Sequence, residues 1–356
     1  MCSSSSRRES IVDAEPLPLI IGVPGTALTE EHRRVLEQVR PAGIILFSRN
    51  IDTPEQASDL VDSLNELDPR PFVCVDLEGG AVNRLAALWG TLPSPSRAAA
   101  AGRRAIRALG EATGAACRCL GIHLNLAPVI DLEHPEGLIA RQSRTLSEDP
   151  ERVATLARVF AEGLAAWCVS GCLKHFPGIG AATLDTHLEL PVVELDAADM
   201  ERHLGVFAAL SDTIPIVMVG HVVVPSLGDP ERPASLSPTI VDRAASLPGS
   251  PVVLSDDLEM DALAAWGDLP ERVVAALSAR SHGALVCKAF DQLELIRDTL
   301  DHAVTSDPGF ATRVRATTAR LGTLRRDLCR TTASVPAPDA ATVEQLWERA
   351  RREAEP

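Results

Sequence analysis

Eight short apolar runs, separated by helical patterns, constrain this chain more than any other feature. They are Pro18 to Val23, Gly43 to Phe47, Phe72 to Asp76, Ile122 to Ile130, Gly171 to His175, Ile214 to Val219, Val252 to Ser255 and Ala284 to Cys287. They are β-branched and do not alternate polar with apolar, as strands buried on both faces of a parallel sheet do not. Parallel neighbours need a crossover between them. Helical patterns stand at the right places: Glu30 to Val39, Pro54 to Leu67, Ser96 to Leu120, Ala197 to Leu210, Ser237 to Ala245 and Met260 to Ser281. Before the fifth run, Asp149 is placed to cap a helix with Pro150 at its first position, and Val153, Leu156, Val159, Phe160 and Leu164 recur at helical spacing. Eight strand–helix units predict an α/β fold, a (β/α)8 TIM-type barrel in a single domain. The alternative is an open doubly wound sheet, but no G-x-G-x-x-G follows the first strand.

The 356 residues suit a barrel, and a hydrophobic fraction of 46% allows a large core. Residues 1–15 are expected to be disordered, 16–335 to form the barrel, and 336–356 to be a Pro/Ala-rich linker and a charged helix, Ala340 to Glu353, lying as a surface appendage. Met1-Cys2 and the four serines after it have no hydrophobic signal core, and resemble the start of a mature lipoprotein whose leader is replaced by Met. A net charge of −15 argues against nucleic acid and anionic lipid as partners. No run of about 18 apolar residues predicts a membrane span. The eight cysteines fit no zinc-ribbon spacing and include no C-x-x-C, so a reducing, cytoplasmic location is expected.

In a barrel the chemistry sits at the C-terminal ends of the strands. Strand three ends in Asp76, with Glu78 and Arg84 just beyond; strand four near Asp131; strand five in Lys174-His175; strand six in His221; strand seven in Asp256-Asp257; strand eight in Lys288. Asp256 follows V-V-L-S, a rigid mount, and is read as the functional carboxylate. Asp257 is read as capping the next helix. From Lys174 the chain runs K-H-F-P-G-I-G-A-A-T-L-D-T-H, a loop kept irregular by Pro177, Gly178 and Gly180 and suited to holding His187 and its partner Asp185 over a pocket. His32, His203 and His302 lie in helical patterns and are read as surface residues; His123 and His134 are given no role. H-x-H at the first strand and H-E-x-x-H are absent, so no metal is expected.

From about residue 18 to 305 these stretches resemble a bacterial β-N-acetylhexosaminidase of glycoside hydrolase family 3, of the single-domain peptidoglycan-recycling type. The matching stretches are G-I-I-L-F-S-R-N at Gly43, V-D-L-E-G-G-A-V-N-R at Val75, L-A-P-V-I-D-L at Leu126, R-T-L-S-E-D-P at Arg144, the Lys174–His187 loop, G-H-V-V-V-P at Gly220 and S-D-D-L-E-M at Ser255. The resemblance implies that Asp256 is the nucleophile and that His187 is the acid/base, paired with Asp185. It implies that Asp76, Arg84, Arg144, Lys174 and His175 hold the non-reducing sugar. It also implies a retaining exo-glycosidase that needs no cofactor, acts on N-acetylglucosamine-containing muropeptides, and is expected to be a monomer. Five positions depart from the family pattern: Leu77, Ala81, Leu146, Ile179 and Ala284. They leave the leaving-group side open. Other readings are a family-3 enzyme of different sugar preference such as a β-glucosidase, a silent sugar-binding barrel, and an unrelated aldolase using Lys174 or Lys288 as a Schiff-base amine.

Overall fold

All eight apolar runs become parallel strands in the computed structural model, which describes residues 16–185, 189–332 and 336–355. They are β1 (Leu17–Gly22), β2 (Pro41–Leu46), β3 (Phe72–Val75), β4 (Leu124–Asn125), β5 (Leu173–Phe176), β6 (Ile216–Val219), β7 (Val252–Asp257) and β8 (Gly283–Val286). Except between β4 and β5, each strand pairs with its sequence neighbours, and β1 pairs with β8 through Leu19 opposite Ala284, so the sheet curls round. The seam lies between β4 and β5. There the bonds are scattered: Asn125 N–H donates to Ser170 O at 2.9 Å, Cys172 N–H to Ala127 O at 2.8 Å and Ile130 N–H to Lys174 O at 2.9 Å. The expected (β/α)8 barrel is present. Its fourth strand is far shorter than the run Ile122 to Ile130 suggests, because Pro128 has no N–H to donate to a ladder.

Besides two single turns, Ala86–Trp89 and Leu138–Arg141, the helices are α1 (Glu30–Val39), α2 (Pro54–Asn65), α3 (Pro95–Ala101), α4 (Arg103–Cys119), α5 (Pro150–Ala165), α6 (Ala197–Leu210), α7 (Pro238–Ala245), α8 (Leu269–Ser278), α9 (Leu293–Ser306), α10 (Pro308–Thr332) and α11 (Ala340–Glu353). Local chemistry sets their starts. Thr53, Ser94, Asp149 and Ser237 each cap a helix whose first residue is proline. Two helices expected as continuous are broken. Ser96 to Leu120 divides into α3 and α4 at Gly102, which sits at φ 102°. Met260 to Ser281 divides into a 3-10 turn, Asp261–Trp266, and α8, with Gly267 at φ 97° between them. A residue in the left-handed half of φ ends a helix, and glycine reaches it without a Cβ clash.

Two cores result. One lies between the strands and the helical shell. The other fills the barrel, where Ile20, Ile45, Phe72, Leu254 and Leu285 meet Leu321 and Leu328 from α10. That helix closes the N-terminal end: Arg325 Nη1 donates to Arg70 O at 2.6 Å just before β3, and Arg320 donates to Ser250 O just before β7. The C-terminal helix α11 is not the surface appendage expected: Val343, Trp347 and Ala350 are buried against the shell. His203, read as a surface residue, is buried on α6, and its Nδ1 would lie 2.5 Å from a Cβ at Gly178. Among the described residues no helix is long and apolar enough to cross a membrane.

Candidate active site

A cleft of about 790 Å³, part of it open to solvent, lies at the C-terminal end of the barrel. Asp76, Arg84, Arg144, Lys174, His175, Asp185 and Asp256 all line it. His187 lies outside the described residues. Three elements carry most of the wall. Asp76 follows β3, and the chain then turns through a small hairpin, Leu77–Gly79 with Val82–Asn83, that presents Glu78 and Arg84. β5 delivers Lys174 and His175, and β7 delivers Asp256 and Asp257.

Glu78 is the hub of one wall. Its Oε1 accepts from Lys174 Nζ at 2.7 Å and from Arg144 Nη2 at 2.8 Å, and its Oε2 accepts from Arg144 Nε at 2.7 Å. Lys174 Nζ also donates to Asp76 Oδ1 at 2.7 Å. Two cations and two anions thus balance in a buried network. Burial alone would raise the Glu78 pKa, but Arg144 and Lys174 hold it far below the usual carboxylate range. Burial would lower the Lys174 pKa, yet Asp76 and Glu78 push it above its ordinary value. Lys174 is therefore an ammonium at neutral pH and no Schiff-base nucleophile. Lys288 is exposed and is not among the lining residues.

His175 is oriented by Asp131. Its Nδ1 donates to Asp131 Oδ2 at 2.7 Å, which leaves Nε2 for the cleft. Asp131 Oδ1 also accepts the Ile179 N–H at 2.8 Å, so one buried carboxylate fixes both the histidine and the start of the following loop. Gly180 is required in that loop, since a Cβ there would lie 1.9 Å from Leu132 O.

The two carboxylates at the end of β7 differ in environment. Burial would raise the Asp256 pKa, but His221, His175, the Asp257 N–H and Lys174 lower it below its ordinary value. The Asp257 N–H donates to Asp256 Oδ1 at 2.9 Å. Asp256 is thus ionised at neutral pH. Asp257 goes the other way: burial and the neighbouring Glu259 push it up to about 7. Asp257 does not cap a helix as expected. It is the last residue of β7, and its Oδ1 accepts the Glu259 N–H at 3.2 Å. Behind this pair, His221 Nε2 lies 2.8 Å from Asp257 O and its Nδ1 2.7 Å from Ser235 Oγ. A carbonyl only accepts, so Nε2 carries a proton; burial lowers the pKa of this ring and Asp256 opposes that.

Arg84 lies over the Phe47 ring, 5.6 Å from its centroid, and its Nε has no acceptor among the described residues. Of the five departures noted in the sequence, Ile179 alone lines the cleft; Leu77, Ala81, Leu146 and Ala284 do not. Among the described residues no group of three or more potential ligands could hold a metal ion. Sequence reasoning noted Glu78, Asp131 and His221 at strand ends but gave them no part in the site. Their role is to fix other side chains, and only the fold reveals which ones.

The cleft can be set beside known proteins. A family profile described as "Glycosyl hydrolase family 3 N terminal domain" matches residues 17–320. A protein named "Beta-hexosaminidase" from Pseudomonas aeruginosa is 33% identical over 304 residues, covering 83% of this chain and 90% of that one. One of the same name from Thioalkalivibrio sulfidiphilus is 35% identical, covering 80% and 84%. A family 3 β-N-acetylglucosaminidase structure from Paenibacillus superposes with TM-score 0.84 at 25% identity, covering 94% of this chain and 67% of that chain. NagZ from Neisseria gonorrhoeae, in complex with N-trifluoroacetyl-D-glucosamine, superposes with TM-score 0.74 at 27% identity, covering 87% and 98%.

Proposed function

The chain belongs to glycoside hydrolase family 3, and from that premise we propose that it is a retaining exo-β-N-acetylglucosaminidase acting on peptidoglycan-derived saccharides. Asp256 is the nucleophile, and His187 with Asp185 the acid/base pair. One arrangement carries most of this reading: an ionised carboxylate at a strand end shares a cleft with a charge-balanced wall of Asp76, Glu78, Arg144 and Lys174. Such a wall offers donors and acceptors in fixed directions, which suits sugar hydroxyls and an acetamido group.

In the first step Asp256 attacks the anomeric carbon, and the glycosidic bond breaks as His187 protonates the leaving oxygen. In the second, His187 takes a proton from water, which attacks the same carbon and frees Asp256. A histidine can do this work because its ordinary pKa of about 6.5 lies near neutral pH. Asp185 lines the cleft, where it can support the charged ring. The names of the relatives favour N-acetylhexosamine over glucose. A cytoplasmic site of action is supported by the absence of disulfides among the described cysteines.

The test compares nitrophenol release from the β-N-acetylglucosaminide, β-glucoside and β-xyloside, followed by labelling with a fluoro-glycosyl probe. The N-acetylglucosaminide should be cleaved fastest, and the added mass should fall on Asp256. Asp256→Ala should lower turnover by roughly 10⁶-fold, the scale on which hydrolases lose activity with their nucleophile. Faster cleavage of the glucoside, or a label on Asp257, would refute this assignment.

A further inference from the structure

We propose that α11 is a strap that sets the position of the sugar-binding wall, with Trp347 as its positioning residue. The strap lies outside the matched family region, which ends at residue 320. Trp347 is fully buried and packs against Trp89 with ring centroids 5.6 Å apart. Its Nε1 donates to Gly90 O at 3.2 Å. The same carbonyl accepts from Asn83 Nδ2 at 3.1 Å, and Asn83 Oδ1 accepts the Leu85 N–H at 3.1 Å. Asn83 and Leu85 flank Arg84, so one oxygen joins the strap to the cleft. The seat is built for this contact. Gly90 lies at φ 79°, and a Cβ there would lie 2.9 Å from Arg351 Nη2. Arg351 in turn donates to Trp89 O, and to Thr91 O at 2.9 Å.

The next residues carry the load to the rest of the wall. The Gly80 N–H donates to Leu92 O at 3.2 Å, and a Cβ on Gly79 would lie 2.4 Å from Pro93 O. The hairpin that bears Glu78 therefore rests backbone to backbone on residues 92–94. Ser96 Oγ donates to Thr145 O at 2.7 Å, and the Ser96 N–H to Ser143 O at 3.2 Å, which holds the loop bearing Arg144. Arg97 Nε closes the circuit by donating to Ala354 O, just past α11, at 3.0 Å. Glu78, Arg84 and Arg144 thus hang from a segment, 89–97, whose other side is α11. Groups that grip the sugar alike in ground and transition states change KM more than kcat. This consequence rests on reading the cleft as a sugar site.

The test uses the full chain with Trp347→Ala and Trp347→Phe, beside Leu300→Ala, a buried leucine on α9. Trp347→Ala should raise KM for the nitrophenyl N-acetylglucosaminide about tenfold with kcat nearly unchanged, short of the ~10²-fold that a 1 Å misplacement can cost. Trp347→Phe keeps a ring but loses the N–H donor, and should shift KM less in the same direction. Leu300→Ala should lower the melting temperature and leave KM alone. Hydrogen exchange gives a reading that needs no activity: Gly80 and Leu85 amides should exchange faster in both Trp347 variants. Wild-type KM and exchange in folded Trp347→Phe overturn the strap, as does an equal rise in KM for Leu300→Ala. Faster exchange in an enzyme whose wild type ignores the N-acetylglucosaminide leaves the strap standing and refutes the sugar reading instead.

Discussion

At the scale of single residues, the cleft separates carboxylates by what surrounds them. Glu78 is pinned ionised by Arg144 and Lys174, and Asp131 is committed to His175 and Ile179. Glu78 has no proton to give. Asp257, pushed up to about 7, is the carboxyl of the cleft that can hold a proton near neutral pH, and it sits beside the nucleophile. With a natural sugar as leaving group, turnover of His187→Ala should fall by about 10²–10⁴-fold, the usual worth of acid–base help. With a dinitrophenolate the first step should survive, and a burst should precede slow release of the sugar. Stopped-flow absorbance would read this; equal losses on both substrates without a burst would move the acid/base role elsewhere. The charged residues at strand ends were legible in the sequence because a barrel collects them at one rim. The division of labour among them was not. Asp256 and Asp257 are adjacent in the chain, and only burial, Glu259 and the nearby cations push their pKa values in opposite directions.

At the scale of elements, two histidines stitch strands at the lower rim. His123 precedes β4: its N–H donates to Val73 O at 2.8 Å while its Nδ1 accepts the Val73 N–H at 2.9 Å. His282 precedes β8 and does the same with Val253, at 2.7 and 2.9 Å. An accepting Nδ1 must be unprotonated. Burial accordingly lowers their pKa values, to about 3 for His123 and about 4 for His282. Both values lie below the unfolded value of about 6.5, so the unfolded chain takes up protons first as pH falls. This contribution is whole above about pH 6.5 and drains away toward pH 4 and below. Denaturant midpoints measured from pH 7 to 4 should fall less steeply in His282→Asn, whose amide oxygen can still accept the Val253 N–H; an unchanged slope would refute the linkage. These stitches illustrate what the sequence withheld. Runs and caps marked the strands and most helix starts, because they are local. The breaks at Gly102 and Gly267 interrupt patterns that read as continuous, since apolar spacing carries on past a glycine whose φ the sequence does not state.

At the scale of the whole molecule, the barrel is a vessel with a rim of charges and a floor made by α10. Leu321 on that helix is fully buried among barrel-interior side chains. Leu321→Ala should therefore cost about 2–5 kcal/mol in equilibrium unfolding, as core leucines do. A loss under about 0.5 kcal/mol, typical of surface sites, would show that α10 merely lies alongside. The floor was not legible in the sequence: Pro308 and Gly309 mark where α10 begins but not the strands it plugs, and its partners are scattered along the chain, Ser250 lying 70 residues before Arg320 and Arg70 lying 255 before Arg325. The buried network at the rim has one more consequence, for handling the protein. The sequence contains two lysines, 174 and 288. Lys174 is sealed inside the barrel mouth as a paired ammonium, while Lys288 is exposed just past β8, next to cleft-lining Cys287. To any amine-directed reagent the folded barrel is a one-lysine protein. A dye, a crosslinker or a coupling resin would find its lysine handle beside the mouth of the cleft.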